Sequence, residues 1–286
     1  MDVRRLVNED AERIEQINPF AALKITYDKG VSRENVVCAT DRGNLAGVGF
    51  LTLHQTQKAD ELRVSYDMFM DERYQEDREI RILLTEGMLA RFREIQREKS
   101  GVRVYLNDYV ESDESGDIQF RLERGFLLNA VMPVLRYDLE QEVKHYRIPD
   151  DVVIEKIRFD RDTMKAYLYA DQLVGEEMNA ETDLWFHTGD PTFVCYAAKC
   201  RGQIVGSVSV WNISEERGAT ENIFVIPDYR RKNIARELIA AAFTELKERG
   251  LKVATLSVAG RNRPAIQLYL SCGYSLYYNL LEMRYE

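Results

Sequence analysis

The 286-residue chain carries 48 acidic against 39 basic side chains, a net charge of −9, with 45% hydrophobic residues and only six prolines. That balance describes a folded globular protein rather than a disordered one. It argues against nonspecific nucleic-acid binding, which depends on positive charge, and suits an amine or other cationic substrate.

The N-terminus, "MDVRRLVNEDAERIEQ", is charged throughout and lacks the apolar core of a signal peptide. No uninterrupted apolar run approaches membrane-spanning length. Cys38, Cys195, Cys200 and Cys272 form no C-x-x-C pair, and the three histidines lie far apart, so neither a metal site nor a disulfide framework is expected. The expectation is a soluble cytoplasmic protein with no membrane and no nucleic-acid partner. The oligomeric state is not set, and a homodimer stays open.

Three stretches of the first half recur in the second, in the same order. "RGNLAGVGF" (42–50) resembles "RGQIVGSVS" (201–209), and "ERYQEDREIRILL" (72–84) aligns with "PDYRRKNIARELI" (227–239). "IQFRLERGF" (118–126) matches "IQLYLSCGY" (266–274) at Ile, Gln, Leu and Gly. The near-constant spacing points to a tandem duplication. "AVMPVLRYDL" (130–139) reads as the last strand of a first domain, residues 1–140, and "EQEVKHYRIPDD" (140–151) as a polar linker containing Pro149. A second domain, residues 150–286, then opens on the strand "VVIEKIR" (152–158).

Within that second domain a helix is predicted over 162–173, followed by an irregular acidic and aromatic stretch. "TFVCYAA" and "IVGSVSVW" form a hairpin around "KCRGQ", and "ATENIFV" is a third strand. A helix after Asn233 puts Ile234, Leu238, Ala241, Ala242 and Leu246 on one face, with Gly250 as its C′ residue. "LKVATLSV", a short helix opened by Pro264 and closed by Gly273, and the strand "YYNLLEMRYE" complete the unit. The fold class is α+β: two tandem units, each a mixed, mostly antiparallel twisted sheet covered by helices.

"IPDYRRKNIARELI" (226–239) gathers Arg230, Arg231, Lys232 and Arg236 where a strand gives way to a helix. A helix N-terminus offers unpaired N–H groups and partial positive charge, which bind phosphate oxygens; the flanking cations add charge-assisted contacts. The plainer alternative is a solvated basic helix start. The matching stretch of the first domain, "QEDREIR" (75–81), is net −1 where "RRKNIAR" (230–236) is net +4. Its carboxylates would repel a pyrophosphate.

The order of elements resembles the GCN5-related N-acetyltransferase family. "ENIFVIPDYRRKNIARELI" is similar to that family's acetyl-CoA motif, and "NRPAIQLYLSCGY" to its second motif, an Asn, a Tyr seven residues on, then Gly and an aromatic. The doubled unit resembles the tandem arrangement also found in mycothiol synthase. The resemblance implies acetyl-CoA as co-substrate, with no metal. It also implies cofactor contacts at Ile223, Phe224, Val225, Arg230, Arg231, Lys232, Asn233, Ile234, Ala235, Arg236 and Asn262. Asn233 departs from the family glycine, but Asn is the non-glycine residue most tolerant of positive φ. Asn262 has a second reading as a helix N-cap.

The same resemblance implies Tyr269 as proton donor to the leaving thiolate. A phenol near pKa ~10 against ~8.5 for a thiol stays protonated when the thiolate forms. A core aromatic would carry the same letter, and the first domain has Arg121 at the equivalent place. Glu221, four residues before Val225, is the candidate general base, or else a solvated strand-end glutamate. Strand alternation would set Glu221, Ile223 and Val225 on one face. The position of Ser257 holds a glutamate in ribosomal-protein alanine acetyltransferases, so that alternative base is absent.

The acceptor is expected against 175–190, where Glu176, Glu177, Glu181 and Asp183 would hold a cation and Trp185, Phe186 and His187 an apolar part. A charged loop over a hydrophobic anchor explains the same letters. The function so read is acetyl transfer from acetyl-CoA to a primary amine of a small molecule or protein, with the first domain cofactor-free. A non-catalytic acyl-CoA-binding regulatory or scaffold protein, and transfer to an oxygen or thiol nucleophile, stay open.

Overall fold

The computed structural model describes residues 1–56, 58, 60–174, 184 and 187–286. They form two compact units, neither of which is one continuous piece of chain. The first comprises Met1–Val110, Glu114–Asn129 and Glu282–Glu286; the second comprises Glu111–Asp113 and Ala130–Leu281.

In the first unit, strands β1 (Asp2–Arg5), β2 (Val36–Asp41), β3 (Asn44–Gln55), β4 (Glu61–Met70) and β5 (Arg103–Glu111) lie in that order. Neighbours are antiparallel except for the parallel pair β4–β5. Helices α1 (Ala11–Ile17), α2 (Pro19–Tyr27), α3 (Arg78–Glu98) and α4 (Ser115–Leu122) accompany them. The long α3 turns Ile80, Leu84, Met88, Phe92 and Ile95 inward, the spacing of a helix with one buried face.

The second unit repeats the pattern. Strand β6 (Leu127–Asp138) enters it at Ala130, followed by β7 (Val152–Ile157), α5 (Arg161–Gln172), β8 (Val194–Cys200), β9 (Gln203–Asn212) and β10 (Arg217–Val225). Then come α6 (Ile234–Glu248), β11 (Val253–Ser257), α7 (Arg263–Ser271) and β12 (Ser275–Tyr285). The strand order is β12-β6-β11-β10-β9-β8-β7, and β10–β11 is the parallel pair, as β4–β5 is in the first unit. Gly250 and Gly273 close α6 and α7 at φ 81° and 96°, a backbone region that costs glycine nothing.

The strand expected to end the first domain is counted with the second unit. Residues 134–138 pair antiparallel with Val253–Ser257, and the Tyr137 ring stacks on Phe243 of α6 at 3.8 Å. A strand's sequence declares its pleat but not its neighbour, and here the neighbour lies more than a hundred residues downstream.

A second correction concerns β10. Glu221 pairs with Ser209, but Phe224 pairs with Ser207, so one extra residue sits between them. Asn222 adopts φ 56° there. The bulge reverses the side-chain parity beyond it. Glu221 therefore does not share a face with Ile223 and Val225, as plain alternation would have it. Those two pack on the α6 side, while Phe224 joins the cluster under α5 with Tyr167 and Cys195.

Candidate active site

The turn after β10 is built on two left-handed residues. Arg231 and Asn233 both have φ 60°, flanking Lys232, and Asn233 is the N-cap of α6. Alternation of this kind points successive N–H groups into one concavity suited to an anion. No side chain caps α6, so its first N–H groups stay open to a ligand. Arg231 and Lys232 are exposed, and the Lys232 ammonium lies 4.8 Å from the centre of the Tyr229 ring.

The other cations are engaged in building the turn. Arg230 Nε donates to the Val225 carbonyl at 2.9 Å, tying the turn back to the strand end. Arg236 donates to Ser271 Oγ on α7 and, at 3.0 Å, to Asn233 Oδ1. Asn233 Nδ2 in turn donates to the Arg147 carbonyl at 3.4 Å. Beside it, Glu237 accepts from the Tyr146 amide at 2.6 Å and pairs with His145 Nδ1 at 2.9 Å. Ile234 is fully buried and Ala235 partly so; their share in any phosphate contact is through the backbone.

β10 and β11 stay paired only from Arg217↔Val253 to Ala219↔Thr255. Beyond that point Ser257 turns its N–H and hydroxyl onto Glu221 Oε1, at 3.0 and 3.3 Å. Burial drives the Glu221 carboxyl upward and the two bonds from Ser257 pull it back, leaving it at about 7.

Tyr269 of α7 is buried, its ring edge-on to Tyr274 at 5.9 Å. Tyr274 is fully enclosed, bonds through its hydroxyl to Thr220 Oγ1, and lies within electrostatic reach of both Tyr269 and Glu221. The candidate base and acid thus share one neighbour. Sequence reading had no role for Tyr274, Thr220 or Ser257 as partners; the aromatic after Gly273 was the available signal.

Asn262 is the N-cap of α7, its Oδ1 accepting from the Ala265 amide at 3.2 Å. The cap reading of this residue describes that oxygen's partner. Of the expected acceptor residues, Glu176, Glu177, Glu181, Asp183, Trp185 and Phe186 lie outside the described residues. The His187 ring packs on Trp211 at 4.6 Å and is stacked with Phe193 at 6.0 Å.

In the first unit the corresponding places are filled from within. Asp77 caps α3, its carboxylate accepting from the Glu79 and Ile80 amides at 2.9 and 3.2 Å. Arg121 is buried against Asp108 and Asp117, and Tyr66 donates to the same Asp108 at 2.7 Å. A cavity of about 370 Å³ opens there among Glu76, Asp77, Arg81, Asp117 and Glu123. A larger one in the same unit, about 920 Å³, is lined by Arg4–Asp10, Arg13–Asp71 and Arg73–Asp71 pairs that satisfy one another. Among the described residues no cluster of three or more His, Cys, Asp or Glu could hold a metal ion.

Residues 159–274 match the acetyltransferase (GNAT) family model. A ribosomal protein bS18-alanine N-acetyltransferase of Escherichia coli K12 is 41% identical over 54 residues, 19% of this chain and 36% of that protein. The chain therefore spans about a third of the curated relative's length. Among solved structures, a GCN5-related N-acetyltransferase from Sphaerobacter thermophilus aligns with 99% of this chain and 95% of its own at TM-score 0.63 and 18% identity. A tandem GNAT protein from the clavulanic acid biosynthesis pathway aligns with 100% and 98% at TM-score 0.68 and 14% identity. These two likenesses are of fold.

Proposed function

We propose that the second unit, whose residues 159–274 match the acetyltransferase (GNAT) family model, moves the acetyl group of acetyl-CoA to a primary amine. The observation that carries this reading is the pairing, on one strand, of an uncapped cationic turn at one end with a partly buried carboxyl titrating at about 7 before the bulge. The turn fits the pyrophosphate of the cofactor. Arg231, Lys232 and the backbone N–H groups of residues 233–236 would hold it, with Arg230 and Arg236 keeping the turn in shape.

In the reaction so proposed, the amine nitrogen bonds to the thioester carbonyl carbon and the carbon–sulfur bond breaks. Glu221, ionised, takes the proton that the amine sheds, directly or through one water. Tyr269 returns a proton to the departing thiolate. An acceptor amine is favoured over a hydroxyl because a base near pKa 7 suffices for an ammonium and is weak for an alcohol. The curated relative is named for an amine acceptor as well, an alanine of a ribosomal protein. The first unit is read as cofactor-free, its phosphate place taken by the Asp77 carboxylate.

Thiol release against a panel of amines, amino acids, polyamines and amino-terminal peptides is the test. Amine-dependent release that Tyr269→Phe lowers at least tenfold, with acetyl-CoA affinity kept, is expected. Tight binding of acetyl-CoA without release for any amine would favour the non-catalytic acyl-CoA-binding reading instead.

A further inference from the structure

Both bonds from Ser257 end on the same carboxylate oxygen of Glu221. Among the described residues, no donor reaches Oε2. The Ser257 amide is free to do this because β11 has parted from β10 two residues earlier, after Ala219↔Thr255; in a continued ladder that N–H would face a main-chain carbonyl. Two convergent donors fix the carboxylate's plane as well as its position. One would hold the oxygen and leave the group free to rotate about it.

We infer that Ser257 is a positioning residue: it clamps Glu221 by Oε1 and so makes Oε2 the oxygen that receives the acceptor's proton. The inference rests on the reading of Glu221 as base and adds to it which oxygen acts and what holds it. The groups around Glu221 leave Ser257 as the tuning partner. Ser209, its cross-strand neighbour on β9, is a fully buried hydroxyl. Thr220 precedes it on β10 and is held by Tyr274, whose enclosed phenol is neutral at working pH. None of these carries a charge, and hydrogen bonds to the ionised form are what oppose burial here.

The test is a carbon-13 titration of the Glu221 carboxyl in the full chain without acetyl-CoA, its signal assigned by loss in Glu221→Gln. Ser257→Ala removes the hydroxyl donor and keeps the amide. The midpoint should rise by about one to two pH units, the worth of one bond to a charged group. Ser257→Thr keeps the hydroxyl and should keep the midpoint. Ser257→Cys, nearly isosteric with a weaker donor, should move it in the direction of Ala, and serves if the Ala variant does not fold. The midpoint of the kcat/KM profile should shift with the titration while KM for acetyl-CoA holds. A titration that neither Ala nor Cys moves overturns the inference. A titration that moves while the rate profile stays still upholds the clamp and removes Glu221 as the base.

Discussion

Glu221 is a carboxyl that the fold would rather keep protonated. Its folded midpoint of about 7 lies above the ~4.3 of an exposed glutamate. The folded state therefore binds the proton more tightly, and stability is greatest below the unfolded midpoint and is lost as pH rises through 7. Glu221→Gln should raise stability at pH 8 by about 1–3 kcal/mol and change little at pH 4, read by urea unfolding at both pH values. If Glu221 is the base, the same substitution should flatten the rise of rate through pH 7. Stability gained and activity lost at one residue is the expected signature of a working group. Asn233 obeys a different constraint. At φ 60° it already has the backbone of a glycine, so Asn233→Gly should hold acetyl-CoA affinity within about threefold. Asn233→Val should weaken it at least tenfold by calorimetry, because a β-branched side chain is strained there.

At the scale of elements, α6 is anchored at its far end by Glu245. Burial alone would raise that carboxyl, but Lys156, Tyr196 and Arg249 outweigh burial and bring it down to about 2. A depressed folded midpoint contributes stability above the unfolded value and loses it as pH falls toward 2. Glu245→Gln should thus cost about 1–3 kcal/mol at pH 7 and make the loss of stability measured between pH 5 and 2.5 shallower than in the unaltered chain, where Asp10, Asp71 and Asp117 also titrate low. Such anchors were not legible in the sequence, since Lys156 and Tyr196 come from β7 and β8, far from Glu245 along the chain; only Arg249, four residues on, is local. The elements themselves were. Apolar period, Pro264, Gly250 and Gly273 marked the helices and their ends to within a residue or two. The basic turn was legible because charge and helix start are both local. The bulge was missed because alternation assumes an unbroken ladder, although Asn222, a residue tolerant of positive φ, was the hint in plain view. The Ser257 clamp needed the parting of two strands, which pattern alone does not announce.

For the whole molecule, duplication predicts two cofactor places and the structure argues for one. Each chain should bind one acetyl-CoA by calorimetric titration, and Arg231→Glu with Lys232→Glu should abolish nearly all of it. Asp77→Ala in the first unit should create no second strong site, because Glu76, Asp117 and Glu123 still line the cavity beside it and would repel a phosphate. Two comparable sites would reverse the assignment of working and silent copies.

The division of the chain also sets an order of events. The first unit takes Glu282–Glu286, whose Tyr285 ring meets Phe92 at 5.8 Å and Phe126 at 5.4 Å and accepts from Arg93. A nascent chain emerges from its N-terminus, and domains ordinarily close in the order they are made. Here the unit synthesised earlier is completed by Glu282–Glu286, which follow the whole of the second unit in sequence. Until those residues have left the ribosome, the aromatic cluster of the first unit lacks its Tyr285.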